Sequence, residues 1–283
     1  MFKEKGRGKI KIKYKVCIIG LGNIGLAVAK HVRKYCPKIV GYDISQKAID
    51  RAQNLGINSF SALPLADTYV IAVNTWFRNG QPDMNAVSDC CSKIALVNPC
   101  ALVTIESTLS VGTTRKLAEL CNLKYVAVCP DRWWEEDEIN HGVAQLRVIG
   151  ALDEGSMKKA LDFYASIKVP LHKLSSLEHA EMVKIVENTD RYLKIAYAEQ
   201  LKIICDKNGL NFEEVREAAN TKWNVEILEA REGIGKECLP KDIQYLRNLD
   251  PANILLDAAV QLDECYRHNF AVLYNTQIKT PKN

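Results

Sequence analysis

The sequence predicts an α/β chain in which a doubly wound parallel sheet is followed by an all-helical domain built on one long central helix. Three observations predict it. Over residues 15 to about 174, short β-branched runs alternate with longer helical stretches, the signature of βα units on a parallel sheet. After Ser175 the pattern becomes almost wholly helical. One stretch, residues 176–208, runs without glycine or proline until Gly209, longer than an ordinary globular helix. The expected domains are residues 1–175 and 176–283.

In chain order, strands are expected at 16–19, 39–42, 69–73, 102–105, 125–128 and 147–149. Several are apolar throughout, as required where helices cover both faces of a sheet. Before the first strand, residues 3–15 carry seven basic side chains against Glu4 alone. Their alternation with apolar residues from Lys9 to Lys15 reads as a solvated lead-in rather than a polyanion-binding arm. Beyond the long helix, Asn211 is placed to cap a helix over 212–219, and a further helix is expected over 252–267.

With 47% apolar and 25% charged residues, a chain of 283 residues can bury a sizeable core and stay soluble. A formal charge of +4 is too small to argue for nucleic-acid binding. The ten cysteines include no CxxC pair, and Cys90 and Cys91 are adjacent rather than at zinc-ligand spacing. No metal is expected, and most of these cysteines read as buried reduced thiols. No apolar run approaches the roughly 18 residues of a membrane span, and the N-terminus lacks the apolar stretch of a secretory signal. A cytoplasmic location without membrane attachment is therefore expected.

Gly20-Leu-Gly-Asn-Ile-Gly25 follows a strand-like run and opens a helical one, where a pyrophosphate would meet a helix N-terminus. Gly20 permits the tight turn, Gly22 lets the backbone approach phosphate, and Gly25 lets the helix pack closely, with Asn23 and Ile24 completing the turn. Asp43, at the end of the second strand, is spaced to accept hydrogen bonds from an adenosine ribose, which favours NAD over NADP. This is the pattern of a Rossmann-type domain. Thr75 and the segment Glu106-Ser-Thr108 follow later strands and are further candidates for the cofactor crevice.

Far downstream, Gly233-Ile-Gly-Lys-Glu-Cys-Leu-Pro-Lys-Asp242 sets Cys238 beside a turn-forming Pro240 and an acidic Asp242, a setting for a thiol nucleophile. Six ordered segments then resemble the nucleotide-sugar 6-dehydrogenases, the UDP-glucose and GDP-mannose dehydrogenase family. They are the glycine fingerprint, Glu106-Ser-Thr-Leu-Ser-Val-Gly-Thr-Thr114, Cys129-Pro-Asp-Arg-Trp-Trp-Glu135, Ala180-Glu-Met-Val-Lys-Ile-Val-Glu-Asn188, Ala218-Ala-Asn-Thr-Lys222 and Cys238-Leu-Pro-Lys-Asp242. The resemblance implies oxidation of a primary alcohol of a sugar or nucleotide sugar to a carboxylate, with two molecules of NAD and a thiohemiacetal and thioester on Cys238. It also implies that Lys184 and Asn188 donate to an oxyanion, that Asp242 assists water or proton transfer, and that Thr108 orients water. Asp131 and Glu135 match two acidic positions of the active-site loop. A homodimer built across the long helix is implied as well.

The chain departs from the family pattern in places. Asp131 stands where glutamate is usual, Lys236 and Glu237 where paired glycines are usual, and Trp223 where proline is usual. The family's third, nucleotide-binding domain does not follow before Asn283, so a separate subunit supplying it, a different substrate, or an inactive fragment are the expectations. Two other readings stand beside the leading one. A two-domain hydroxyacid dehydrogenase shares the Lys-x-x-x-Asn helix motif but needs no thiol, and a non-catalytic NAD-binding subunit needs neither.

Overall fold

The structure, a computed structural model, describes residues 14–235 and 238–278. The basic lead-in through residue 13 and the Lys236-Glu237 substitution lie outside the described residues. The elements run β1 (Tyr14–Ile19), α1 (Asn23–Arg33), β2 (Ile39–Tyr42), α2 (Gln46–Asn54), β3 (Ser59–Phe60), β4 (Ala66–Ile71), β5 (Trp76–Arg78), β6 (Gln81–Asp83), α3 (Asn85–Val97) and β7 (Leu102–Ile105). There follow α4 (Thr113–Leu120), β8 (Tyr125–Val128), α5 (Glu138–His141), β9 (Arg147–Ala151), α6 (Glu154–Ser166), β10 (Leu171–Lys173), α7 (Leu177–Lys207), α8 (Phe212–Asn220), α9 (Cys238–Arg247) and α10 (Ile254–Ile278). The chain divides into two compact units, Met1–Trp76 with Pro82–Val183, and Phe77–Gln81 with Lys184–Asn283.

The first unit holds an eight-stranded sheet in the order β10-β9-β8-β7-β4-β1-β2-β3. The strands from β8 to β3 are parallel, with β1 paired to β2 on one side and β4 on the other. Strand order therefore reverses at β1 and β4, the switch point where such sheets bind ligands. β9 runs antiparallel to β8, with Val128 opposite Gly150. This departs from the all-parallel expectation for a physical reason: only the short α5 intervenes, and an antiparallel return needs no crossover helix.

The strands read as continuous apolar runs because each face carries its own core. Cys17 and Ile19 of β1, Tyr69 and Ile71 of β4, and Val103 and Ile105 of β7 pack with α3, α4 and the start of α7. The alternate residues Val16, Ile18, Val70 and Leu102 pack with α1 and α6. Period-two alternation thus survives as a choice between two buried faces.

α7 spans 31 residues, as its unbroken pattern requires. In the second unit Tyr192 and Ala196 pack against Ile234, Ile243 and Leu256, while Ala198 and Cys205 pack against Phe212 and Ile227. Ala196 and Ala198 are thus interior residues of the unit, with Leu201 packed at the edge of the same cluster. Asn211 caps α8, its side chain accepting from the backbone N–H groups of Glu213 and Glu214 at 2.9 and 3.4 Å.

Two expectations are corrected. Cys238-Leu-Pro-Lys-Asp242 is the first turn and more of α9, not a turn made by Pro240. Proline is tolerated there because the first N–H groups of a helix have no intrahelical partner to lose. Of the ten cysteines, all free, only Cys17, Cys90, Cys91, Cys129 and Cys205 are buried.

Candidate active site

The glycine turn has the geometry its sequence demands. Gly20 has φ of 87°, and a Cβ there would lie 2.5 Å from the Ala72 carbonyl oxygen. A Cβ at Gly25 would lie 1.8 Å from the Gly20 carbonyl oxygen, so this glycine lets α1 close onto the turn. Gly22 differs: a Cβ would meet no protein atom within 4 Å. Protein packing does not require glycine at Gly22, whereas a dinucleotide pyrophosphate approaching the α1 N-terminus does. Asn23 opens α1, and Ile24 beside it is exposed.

Asp43 ties the end of β2 to this turn. One carboxylate oxygen accepts the Leu21 N–H at 2.7 Å and the other the Ser45 N–H at 2.8 Å. Each oxygen keeps acceptor capacity for a ribose hydroxyl. Arg51 on α2 donates to the Leu21 carbonyl at 2.8 Å and reaches the Asn23 side chain at 3.5 Å. It braces the turn from behind.

The loops after β4 and β7 are laced together. The Thr75 hydroxyl donates to the Thr108 carbonyl at 2.7 Å, and the Ser107 hydroxyl to the Val73 carbonyl at 2.7 Å. The loop after β8 joins them through the Asp131 N–H, which donates to the Glu106 carbonyl at 3.1 Å. Asp131 is buried, and one of its oxygens accepts the Trp133 N–H at 2.9 Å. Glu135 is exposed and begins a single 3-10 turn. The loop closes on itself: Gln145 donates to the Arg132 carbonyl at 2.7 Å, and Arg132 to the Leu146 carbonyl at 2.8 Å.

In the second unit, α7 carries Lys184 and Asn188 one helical turn apart, both half-buried. α9 carries Cys238 at its exposed N-terminus and Asp242 one turn in, fully buried. The Asn188 side-chain amide donates to the Asp242 carboxylate, whose other oxygen lies 3.1 Å from the Lys241 ammonium. Burial pushes the thiols of Cys17, Cys90, Cys91 and Cys129 up, the last three to about 12, so none of these is a nucleophile near neutral pH. Cys238, by contrast with these buried residues, is exposed.

The chain matches the NAD binding domain of the UDP-glucose/GDP-mannose dehydrogenase family over residues 53–168, and the central domain of that family over residues 178–261. A UDP-N-acetyl-D-mannosamine dehydrogenase of Campylobacter jejuni is 30% identical, over 91% of this chain and 73% of that protein. The chain belongs to the UDP-glucose/GDP-mannose dehydrogenase family. A UDP-N-acetyl-D-mannosamine dehydrogenase of Methanococcus vannielii is 31% identical over 84% of this chain, which spans 62% of the length of that relative. The solved structure of the UDP-D-ManNAc dehydrogenase of Pyrococcus horikoshii superposes with a TM-score of 0.80 at 28% identity, over 89% of this chain and 68% of that one.

Membership places NAD as the cofactor of the sheet domain, and the glycine turn and Asp43 fit it. Several supporting residues of this family member have no sequence signal of their own. Glu181 of α7 is buried and accepts the N–H groups of Gly112 and Thr114 at 2.6 and 2.8 Å, capping α4 from another helix. Burial raises its pKa despite those two donors. Beside it, Arg115 grips both oxygens of Glu178 at 2.7 and 3.2 Å. Glu106, Arg147 and Tyr164 form a buried polar cluster beneath the β8 loop. Glu106 was visible only as part of a motif. Arg147 and Tyr164 look in the sequence like a strand-start cation and a helix aromatic.

Proposed function

We propose that this protein catalyses the four-electron oxidation of the primary alcohol of a nucleotide sugar, a UDP-N-acetylhexosamine, to the carboxylate. The observation that carries this reading is the α7–α9 arrangement: Cys238 heads α9, and one turn later Asp242 holds the amide of Asn188, which shares a helical face with Lys184. A two-electron oxidation needs no thiol at that position. The relatives named above supply the substrate class.

NAD, when bound, accepts a hydride in each of the two oxidations. Cys238 adds through Sγ to the aldehyde carbon formed by the first, giving a thiohemiacetal, and the second oxidation leaves a thioester on the same sulfur. Lys184 and Asn188 donate to the oxygen on the reacting carbon as charge develops there. Asn188 has two amide hydrogens, and Asp242 takes one, which fixes the direction of the other. Asp242, Thr108, Asp131 and Glu135 are the groups that hold or deprotonate the water that cleaves the thioester. That hydrolysis releases the acid and restores the thiol, so one alcohol consumes two NAD and one water. The partial positive charge of a helix N-terminus favours negative charge where Cys238 sits.

The test is a count of NADH per molecule of product with UDP-N-acetylmannosamine, for wild type and Cys238→Ser. Wild type is expected to release two NADH, and the serine variant to lose about a hundredfold or more in kcat. One NADH per product in wild type, or full two-NADH turnover by Cys238→Ser, would overturn the proposal.

A further inference from the structure

The cluster under the β8 loop is expensive and has no part in the steps above. Glu106 and Arg147 are 3% and 1% exposed, and their charged groups lie 3.1 Å apart. Tyr164, fully buried on α6, donates its hydroxyl to Glu106 at 2.8 Å and meets the Thr104 hydroxyl at 2.8 Å. Its ring lies beneath the Arg147 guanidinium, 5.5 Å from the ring centre. Burying an ion pair costs more in lost hydration than apolar side chains of the same volume would, so such a pair is weak evidence for stability. What it does provide here is direction.

The guanidinium donates to the carbonyls of Cys129 and, at 3.2 Å, Pro130, the two residues before Asp131. Glu106 grips Arg147 with its side chain and, with its own carbonyl, accepts the Asp131 N–H at 3.1 Å. Two consecutive peptide groups, Cys129–Pro130 and Pro130–Asp131, are therefore fixed from below. The consequence reaches the Asp131 side chain. One of its oxygens is spent on the Trp133 N–H, and the other, buried, has no hydrogen-bond partner among the described residues. The cluster aims that oxygen.

We propose that Arg147, held by Glu106 and Tyr164, is a positioning residue that fixes the backbone of residues 129–131 and with it the direction of the unpartnered carboxylate oxygen of Asp131. This rests on the oxidation proposed above. It gives a role to the shorter acid: aspartate has less reach and less freedom than glutamate, so its oxygen is only as well placed as the backbone that carries it. Rigid backbone support makes up in direction what the side chain lacks in length.

The test is Arg147→Lys in the full chain, which keeps the charge opposite Glu106 but loses the planar fork that holds Glu106 and both carbonyls in one fixed geometry. Three readouts are taken: NAD affinity by calorimetry, hydrogen exchange of individual amides, and kinetics with UDP-N-acetylmannosamine. NAD affinity is expected to stay within about threefold, while kcat falls by roughly tenfold to a hundredfold with a smaller change in KM. Exchange at the Asp131 and Trp133 amides should quicken at least about tenfold, with β1 and β4 amides unchanged. Unaltered exchange at Asp131 and Trp133, or uniform loosening of the whole sheet, would overturn the inference. Should Arg147→Lys fail to fold, Tyr164→Phe removes one brace of the cluster without removing a charge, and the same amides are expected to respond. A wild type that yields no NADH from nucleotide sugars would count against the proposed oxidation, while the exchange result still decides whether Arg147 holds the loop.

Discussion

Gly22 and Gly25 stand three residues apart in one turn and are glycines for different reasons. Gly25 has protein against it, 1.8 Å from where a Cβ would sit, while Gly22 has none within 4 Å. Gly25→Ala is expected to cost about 1–3 kcal/mol of stability by overpacking, as well as weakening NAD binding. Gly22→Ala should leave the melting temperature nearly unchanged, within about 0.5 kcal/mol, because its backbone angles suit alanine and the site is open. Its NAD affinity should fall at least about tenfold, since a methyl would stand where phosphate must approach. Calorimetry with NAD and thermal melts of both variants separate the two cases, and tight NAD binding by Gly22→Ala would refute the cradle. These positions were legible in the sequence because the constraint is local. The Glu106–Arg147 pair was not: a charged residue bound for burial looks like any solvated one until the chain folds and brings its partner.

Among the elements, α7 shows what periodicity can and cannot tell. Its length followed from an uninterrupted helical pattern, yet nothing in that pattern distinguishes Glu181, a buried cap for α4, from the half-buried Glu178 one turn earlier. Removing the cap strands the N–H groups of Gly112 and Thr114. Glu181→Ala is therefore expected to cost about 2 kcal/mol or more in urea unfolding, with Glu181→Gln milder because it keeps an acceptor. Equal stability in all three proteins would show that α4 finds other partners. Strand direction was equally hidden, since β9 has the composition of a parallel strand and the connection before it holds only the short α5 rather than a crossover helix. The two residues of β3 and three of β10 are too few to carry a period. α9 was obscured by a proline that reads as a turn but sits where a helix tolerates it.

At the scale of the whole molecule, one buried group gives stability a dependence on pH. Glu199 of α7 is fully buried, with neither carboxyl oxygen hydrogen-bonded among the described residues. Burial first, then the nearby Asp263, pushes its pKa up to about 8, with Arg267 opposing. In the unfolded chain the value is about 4.3. The folded state therefore holds this proton more tightly, and its contribution, complete below about pH 4.3, is lost as pH rises through 8. Glu199→Gln should flatten the loss of melting temperature between pH 5 and pH 8 and raise stability most at the alkaline end, roughly in proportion to the shift. Parallel pH curves for variant and wild type would place the titration elsewhere. The two-part plan of sheet then helices was legible from where the alternation stops, and the family from six ordered motifs. The buried ionisable groups that tune the molecule were not, because burial is a property of the folded chain. The loop between β8 and β9 closes on its own ends, Gln145 to Arg132 and Arg132 to Leu146, and is anchored to the sheet's core by Val143 and Trp133. Between those anchors it is in effect a cassette: mutation, or an engineer, can exchange residues 134–142, Glu135 among them, while the strands on either side keep their core contacts.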